Sequence, residues 1–519
     1  MKPSNLGAFS ELGQYELDRA SILLLPESYC RQNQVCVLGR VDPNDTKPVT
    51  VGMLTPSDAR VIDDVQRRLG RGAEPVRLNR YEIEKVVRTG SGQTSERGIV
   101  IEHRSEPRDD RNVTELLHHM IGDAVARRAS DIHIESYADD VDVRYRIDGI
   151  LHQVFTHLNP HNASEVISKL KVLCELDITE KRRPQDGRFR ATVLLGLDRK
   201  EVDFRVNVIP SPDGLDCVIR VLDGSVGLIP VTELGMSGAM QRVFLRLLRN
   251  PEGLVLVTGP TGCGKTTTLY SAVRQINDGR RKIVTAEDPI EYDLPKVAQK
   301  RATPKMSLQE LSRALLRHDP DVLLFGEVRD AAMGEVALRA SLTGHLVLST
   351  LHTDDAVGAI VRLRALGLDE DDIAASLLGV LAQRLLRKIC AHCREPMLPT
   401  DQQAGLLGPL VDGIAFFEGR GCDLCNHTGY RGRIGVFELL LVDEGLQDLI
   451  AEDRHKTVLR RYVVGNGFST MVDDALAKVN AGQTTVDEVS RVLPFRQLAI
   501  ARQARAARLS QTAEADEGA

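Results

Sequence analysis

The sequence lacks long apolar runs, and this absence excludes a membrane-spanning protein. No stretch of about 18 consecutive apolar residues occurs, whereas a membrane-spanning helix needs about 20. Residues 1–5 (MKPSN) are not followed by the apolar segment of a signal peptide. We therefore expect a cytosolic chain without a transmembrane segment.

The sequence has no excess of positive charge, and it has few cysteines. The formal net charge is −6, which argues against general affinity for nucleic acid, so no specific nucleic-acid partner is expected. Nine cysteines are too few for a disulfide scaffold in 519 residues. That length instead predicts about three or four domains, and an apolar content of 42% can fill their cores.

The motif that organises the chain is a glycine-rich loop, GPTGCGKT, which fits the phosphate-loop pattern G-x-x-x-x-G-K-[ST]. A short apolar run at 254–257 enters the loop as a buried parallel strand, and apolar residues at helical spacing leave it. Lys265 can reach the β- and γ-phosphates of a bound nucleotide, and the Thr266 hydroxyl can bind Mg²⁺. The predicted nucleotide-binding residues are Gly259, Pro260, Thr261, Gly262, Cys263, Gly264, Lys265, Thr266 and Thr267.

Composition and periodicity divide the chain into successive segments. A small α/β module, a polar Gly/Ser/Arg-rich stretch and a set of alternating apolar and polar strands precede the phosphate loop. Around the loop, strands alternate with helices, which indicates a mostly parallel sheet with helices on both faces. The predicted segments are a partner-docking domain at 20–92, a linker at 93–112, a sheet domain at 113–226, a hinge at 227–238, the phosphate-loop core at 239–389, a metal-type segment at 390–438, a helical subdomain at 439–500 and a disordered tail at 501–519.

The sheet domain presents arginines on polar strand faces. VDFRVNVIP carries Arg205, and CVIRVLD carries Arg220. Either arginine could serve a function, or it could simply lie on a solvated strand face.

Two acidic clusters follow short apolar strands of the phosphate-loop domain. DPDVLLFGEVRD places Glu327 at the carboxyl end of a strand, where it could polarise water or hold Mg²⁺ through water. AEDPIEY offers Glu287, Asp288 and Glu291 in a similar position. For Asp288 and Glu291 the alternative is a helix-capping or surface role.

Histidines and further arginines complete the candidates for phosphate contact. His345 and His352 flank one strand in TGHLVLSTLHTDDA, and each could contact the γ-phosphate or be structural. Arg313 and Arg317 lie four residues apart on a predicted helix that Ser307 and Glu310 cap; the pair could clamp phosphate or face solvent.

Four cysteines form two C-x-x-C pairs separated by 28 residues. Four thiolates so arranged suit tetrahedral Zn²⁺ and leave no open coordination position, so the metal is expected to be structural. A free-thiol or redox role is the alternative, and two nearby histidines, His392 and His427, are alternative ligands. The predicted zinc ligands are Cys390, Cys393, Cys422 and Cys425.

Taken together, these motifs resemble the secretion ATPases of the type II secretion and type IV pilus assembly superfamily. The resemblance runs from about Val113 to about Leu440 and includes SDIHIE, RPQDGR, GPTGCGKT, AEDPIEY, DPDVLLFGEVRD, TGHLVLSTLHTDDA, AQRL and the cysteine segment ending NHTGYRGRIGVFELL. A single short module before SDIHIE, opening with LLLPESYCRQNQ, is more similar to the type II secretion members. The implied fold is a RecA-like P-loop ATPase core preceded by a PAS-like α+β sheet domain, with a Cys₄ zinc insert and a helical C-terminal subdomain.

The resemblance also implies an activity and partners. It implies a cytoplasmic homohexamer that hydrolyses ATP with Mg²⁺, binds Zn²⁺, and drives assembly of a pilus-like fibre through adaptor and platform proteins of the bacterial inner membrane. The catalytic residues carried over by the resemblance are Lys265, Glu327, Glu287, Arg205, Arg220, Arg313, Arg317, His345 and His352. Asp354 replaces the asparagine usual in the histidine motif, and Phe325 replaces a smaller residue before Gly326; neither change removes a catalytic group.

Three rival functions stay open at this stage. A type IV pilus assembly ATPase would use the same chemistry in a different machine. A pilus-retraction or DNA-transfer ATPase is disfavoured by the Cys₄ segment, which those relatives lack. A ring scaffold that binds nucleotide without turnover is disfavoured by the intact Lys265 and Glu327.

Overall fold

The computed structural model describes residues 15, 18–42, 46–78, 82–83, 86–87, 99–103, 112–154, 156–196, 198–223, 229–303, 305–411 and 413–502. These residues divide into two compact units. The first contains the described residues up to Ala126, together with Ser168–Asp177 and Gly187–Phe204. The second contains Arg127–Ile167, Ile178–Asp186 and the described residues from Arg205 onward. Among the described residues, no helix combines the length and apolar character needed to cross a membrane.

The first unit begins with a small α/β module. Its strands are β1 (Val35–Val37), β2 (Val49–Met53) and β3 (Ala73–Arg77), and its helices are α1 (Arg19–Ile22), α2 (Glu27–Asn33) and α3 (Ala59–Leu69). β2 pairs antiparallel with β1 and parallel with β3. Helix α3 starts at Ala59 because the Asp58 side chain accepts hydrogen bonds from the N–H groups of Arg60 and Val61.

The rest of the first unit includes a strand in the range predicted to be a linker. Strand β4 (Ile99–Glu102) pairs parallel with part of β8 (Gln185–Leu195), and helix α4 (Val113–Ala126) follows. The linker prediction therefore does not hold for 99–102, because the apolar sequence IVI supplies a strand with a buried Ile101. Residues 93–98 and 104–111 of the predicted linker lie outside the described residues, as do residues 224–228, which include the first two residues of the predicted hinge.

The second unit contains most of the predicted sheet domain. The antiparallel strands β10 (Gly214–Asp223), β5 (Ala129–Ser136), β6 (Val141–Ile147) and β7 (Ile150–Gln153) lie side by side in that order. Helix α5 (Pro160–Leu173) and strand β9 (Asp198–Ser211) each have one end in this unit and one in the other. The alternating burial along β5 and β6 agrees with the alternating apolar and polar residues of the sequence.

The phosphate-loop core is a seven-stranded sheet whose order is β13-β12-β14-β15-β11-β16-β19. Its strands are β11 (Gly253–Thr258), β12 (Ile283–Glu287), β13 (Ala298–Arg301), β14 (Val322–Phe325), β15 (Leu346–Leu351), β16 (Leu377–Ile389) and β19 (Tyr430–Leu441). All neighbours are parallel except β16 and β19, which form an antiparallel pair. Its helices are α6 (Gly238–Leu247), α7 (Lys265–Ile276), α8 (Leu308–Leu315), α9 (Ala331–Leu342), α10 (Ala356–Ala365) and α11 (Glu370–Ser376).

Both faces of this sheet are buried. Along β11, Leu254 and Leu256 pack in one apolar cluster, whereas Val255 and Val257 pack in another. Successive side chains of a strand point to opposite faces, so these two clusters are the two helix-covered sides of the sheet. The predicted α/β core is therefore confirmed. The predicted end of the core at 389 leaves out β19, which the structure adds as an edge strand.

A metal-type segment and a helical subdomain complete the second unit. Between β16 and β19 lie β17 (Arg394–Met397), helix α12 (Asp401–Leu407) and β18 (Phe416–Gly419). After β19 come four helices, α13 (Glu444–Ala451), α14 (Lys456–Gly465), α15 (Met471–Asn480) and α16 (Val486–Val492). Residues 503–519 of the predicted tail lie outside the described residues.

A buried carboxylate links the sheet to two helices of the second unit. Glu438 on β19 accepts a hydrogen bond from the N–H of Ala356, 2.7 Å away, and another from the N–H of Met471, 3.0 Å away. These two residues begin α10 and α15, so one side chain caps both helices. Burial raises the pKa of Glu438.

Candidate nucleotide site and metal centre

The phosphate loop connects the end of β11 to the start of α7, as the sequence predicts. Gly259 has φ 150° and Gly264 has φ 89°, a region that favours glycine. A Cβ atom on Gly259 would lie 2.6 Å from the Cys263 Sγ and 2.6 Å from the Gln383 carbonyl oxygen. The loop therefore has space for its backbone but not for a side chain at its first position.

Lys265 lies at the first position of α7 and bonds to its own loop. Its Nζ donates to the carbonyl oxygens of Gly259, at 2.8 Å, and Pro260, at 3.0 Å. Burial lowers the pKa of Lys265. The ammonium group is thus positioned at the loop, where a phosphate chain would offer it anionic oxygens in place of neutral carbonyls.

Glu327 and His352 lie at the same edge of the sheet as the loop. β15 pairs with both β11 and β14 in parallel register, so the carboxyl ends of the three strands meet at one edge. The His352 Nε2 lies 3.5 Å from the Glu327 Oε2, and the Arg329 Nε donates to the Glu327 Oε1 at 2.6 Å. Burial lowers the pKa of His352, and the nearby Lys265 lowers it further against the opposing charge of Glu327.

Glu287 is buried and holds the helix of the phosphate loop. It accepts hydrogen bonds from the hydroxyls of Tyr270 and Thr285 and from the Gln299 Nε2, which lies 3.2 Å from it. Tyr270 belongs to α7, and burial together with the adjacent Glu287 carboxylate raises its pKa. These contacts join α7 to β12 and β13, a positioning role that the sequence did not reveal.

Arg205 reaches the acidic segment that follows Glu287. Its Nη2 lies 3.2 Å from the Glu291 Oε2 and 3.5 Å from the Ile290 carbonyl oxygen. The side chain is 20% exposed. Of the two sheet-domain arginines, Arg205 therefore contacts the core, whereas Arg220 pairs with Asp131 on the neighbouring strand β5 at 3.1 Å.

Three predicted site residues lie away from the loop in this chain. His345 precedes β15, so it is at the opposite edge of the sheet from His352, roughly 20 Å away along a six-residue strand. Its Nδ1 bonds to the Ala340 carbonyl oxygen at 2.9 Å, a local structural contact. Arg313 and Arg317 are exposed at the end of α8 that leads into β14. Within this chain the three side chains therefore lie away from the loop, and the phosphate contact of Arg313 and Arg317 stays a prediction.

The structure also brings together polar residues that sequence reasoning did not select. Thr258 at the end of β11 and Thr353 after β15 share a hydroxyl–hydroxyl hydrogen bond of 2.7 Å. Gln383 and Arg384, from the AQRL motif, contact the phosphate loop and the segment after His352. The motif itself marked this position, but only the pairing of β16 with β11 shows what it touches.

The four predicted zinc ligands converge at the base of the hairpin formed by β16 and β19. The sulfur atoms of Cys390, Cys393, Cys422 and Cys425 all lie within 4.8 Å of one another. Three of the sulfur–sulfur distances are 3.8–3.9 Å. A tetrahedron with zinc–sulfur bonds of about 2.3 Å has edges of about 3.8 Å. The four cysteines therefore fit Zn²⁺, whereas His427 pairs with the exposed Asp423 at 3.2 Å.

Comparison with known proteins agrees with this geometry. A family model described as Type II/IV secretion system protein matches residues 106–491, and a model described as MshEN domain matches residues 8–89. The chain belongs to the Type II/IV secretion system protein family. The predicted family is thereby confirmed, and with a complete phosphate loop this member is an ATP-hydrolysing enzyme.

Individual relatives support the same placement. The chain is 43% identical over 392 residues to the Type II secretion system ATPase E of Vibrio cholerae, covering 75% of this chain and 76% of that protein. It is 35% identical over 503 residues to the Type IV pilus assembly ATPase PilB of Myxococcus xanthus, covering 92% and 87%. Its fold is similar to the ATPase DotB of Legionella pneumophila, with a TM-score of 0.55 and 20% identity over 76% of this chain and 98% of that one.

Proposed function

We propose that this family member is the ATPase of a type II protein secretion system. It would act as a cytoplasmic homohexamer that assembles a pseudopilus through adaptor and platform proteins of the inner membrane. The observation that carries the proposal is the meeting of Lys265, Glu327 and His352 at one edge of the sheet. The 43% identity of this chain to a type II secretion ATPase supports a type II secretion system rather than another machine.

The geometry supports a separate role for each residue of the site. The loop amides and Lys265 bind the phosphates of ATP, and the Thr266 hydroxyl holds Mg²⁺. Glu327 orients the attacking water, and His352 stabilises charge that develops on the γ-phosphate. Magnesium supplies charge neutralisation at the β- and γ-phosphates when it is bound.

The arginines and the zinc centre have separate proposed roles. Arg205, now paired with Glu291, is close enough to the core to exchange that partner for a phosphate when the sheet domain moves about the hinge at 227–238. Arg220, Arg313 and Arg317 would act across the boundary with a neighbouring subunit, because within this chain they do not reach the loop. His345 would keep only its local structural contact with Ala340. Zn²⁺ on the four cysteines would stabilise the segment without taking part in hydrolysis.

Two measurements on purified protein and cells test the proposal. Lys265→Ala is expected to lower phosphate release from ATP to the background rate, because the loop loses the cation that binds the phosphates. Lys388→Ala, a change on the exposed face of β16, is the matched control and keeps full turnover. Retained turnover in Lys265→Ala would overturn the enzyme site. Wild-type turnover without restored secretion in a secretion-ATPase deletion strain would overturn only the proposed machine.

A type IV pilus assembly ATPase is the second candidate. It is favoured by the relationship to PilB, which extends over 92% of this chain. The genes beside this one separate the two machines: genes for a secretin and pseudopilins support secretion, whereas a pilin cluster supports the pilus. Restoration of pili, rather than of secretion, in the matching deletion strains would decide for the pilus machine.

A further inference from the structure

Gln383 contacts the phosphate loop with both ends of its side-chain amide. Its Nε2 donates to the Cys263 carbonyl oxygen at 2.7 Å, and its Oε1 accepts from the Thr268 hydroxyl at 2.8 Å. The side chain is 1% exposed. One buried amide therefore connects the loop to the first turn of the helix that follows it.

The same residue touches the loop at further points. The Gln383 carbonyl oxygen lies against Gly259, and its Nε2 would lie 3.3 Å from a Cβ atom on Gly264. Strand β16, which carries Gln383, pairs in parallel with β11, the strand that enters the loop. The loop is thus held from the side by a neighbouring strand from its first glycine to its last.

Arg384, the next residue, fixes a second segment from the opposite face of β16. Its guanidinium donates to the Asp354 carbonyl oxygen at 3.1 Å, to the Asp354 Oδ1 at 3.2 Å and to the Gln383 carbonyl oxygen at 3.0 Å. Arg384 therefore supports the segment after β15, and its Nη1 also lies beside the phosphate loop, 3.2 Å from the position of a Cβ atom on Gly259. Asp354 immediately follows the segment with His352 and Thr353.

The hydrogen bond to Cys263 has a direct consequence for phosphate binding. In a planar trans peptide, the carbonyl oxygen and the following N–H point in opposite directions. Because Gln383 holds the Cys263 carbonyl toward β16, the Gly264 N–H is turned away from β16 and into the loop. An inward N–H is the donor that a phosphate oxygen needs.

We propose that Gln383 is a positioning residue for nucleotide, which sets the orientation of the Cys263–Gly264 peptide and so pre-organises the phosphate loop. The role depends on nucleotide binding at this loop and is independent of the machine that the enzyme serves. Arg384 adds a parallel support for the segment that carries His352.

The test is the affinity of the full-length protein for Mg-ADP, measured by titration calorimetry. Gln383→Leu keeps the side-chain volume but loses both hydrogen bonds. Its dissociation constant for Mg-ADP is expected to rise about 10-fold, because the side chain no longer holds the Cys263–Gly264 peptide. Thr268→Val removes only one of the bonds and should weaken binding less, whereas Thr268→Ser keeps the hydroxyl and should bind as the wild type does. In the double variant of Gln383→Leu and Thr268→Val, the two losses of affinity should not add, because both changes remove the same contact between Gln383 and Thr268.

A matched control separates positioning from general stability. Gln403 is a second buried glutamine, 8% exposed, whose Nε2 bonds to Asp487 at 3.0 Å, away from the loop. Gln403→Leu is expected to lower the melting temperature without changing the affinity for Mg-ADP. Wild-type affinity in folded Gln383→Leu would overturn the inference. If that variant does not fold, wild-type affinity in Gln383→Glu, which loses the amide donor to the Cys263 carbonyl oxygen, would overturn it. If Lys265→Ala also kept wild-type affinity, the nucleotide site itself would be misplaced.

Discussion

Glu488→Gln is expected to destabilise the protein strongly, because it removes a buried carboxylate that two arginines share. The Glu488 Oε1 lies 2.6 Å from the Arg387 Nη2, and its Oε2 lies 2.7 Å from the Arg491 Nη2. Glu488 is 1% exposed, and Arg387 also stacks on the Tyr430 ring with its guanidinium carbon 3.9 Å from the ring centroid. The carboxylate therefore ties helix α16 to both strands of the β16–β19 hairpin.

The size of the expected loss of stability can be worked out in two separate ways. Burial raises the pKa of Glu488, but hydrogen bonds from Arg491 and Arg387 outweigh it and lower the pKa from 4.5 to about 2. A lowering from 4.5 to about 2, at about 1.36 kcal/mol for each pKa unit, corresponds to about 3 kcal/mol of stability. Removing one partner of a buried ion pair independently costs about 3–5 kcal/mol. We expect a loss of about 3–4 kcal/mol at pH 7.

The pH dependence provides the sharper check, measured by urea unfolding of wild type and variant. Because the folded pKa is lowered, the stabilisation is complete above about pH 4.5 and is lost as the pH falls through about 2. The difference in stability between the two proteins should therefore shrink to about 1 kcal/mol at pH 3.

The control is Glu452→Gln, which breaks an exposed pair with Arg454 and should cost less than about 1 kcal/mol. A loss below about 0.5 kcal/mol in Glu488→Gln at pH 7, or a loss that does not shrink at pH 3, would refute the reasoning.

Two further predictions concern the histidines and the metal. His352→Ala should lower the turnover number for ATP about 10²-fold, because a group beside Glu327 is lost, whereas His345→Ala should change it by less than about twofold. Equal effects of the two substitutions in phosphate-release assays would contradict the assignment of these two residues. The purified protein should contain about one zinc per chain by atomic absorption, and chelation should raise hydrogen exchange across 390–429. Cys422→Ser should lose the metal and Cys217→Ala should keep it; zinc retained in Cys422→Ser would exclude the Cys₄ centre.

The phosphate loop, the core strands and the cysteine centre could be predicted from the sequence because each has a local signal. A buried parallel strand is a continuous apolar run, and metal ligands keep their spacing whatever the fold. The apolar run at 99–102 was missed because the residues on either side are polar and Gly/Ser/Arg-rich. Edge strand β19 was missed because its partner, β16, lies about 50 residues earlier in the chain, and such a pairing has no local pattern.

The individual roles of site residues were harder to predict, for a geometric reason. Sequence shows that His345 and His352 flank one strand, but only the direction of that strand places one at the loop and the other at the opposite edge. Because ligands of open α/β sheets bind at the carboxyl ends of strands, the residue after β15 could have been preferred over the residue before it. The contacts of Glu287 and Gln383 depend on neighbouring strands and could not be inferred this way.

The shared capping of two helices by Glu438 has a mechanical consequence. Helix α10 starts four residues after His352, and α15 belongs to the helical subdomain, so one carboxylate connects the segment after β15 to that subdomain. Neither helix can slide away without leaving an anionic oxygen buried and unpaired. If nucleotide binding displaces the segment after β15, the helical subdomain should therefore move together with the core.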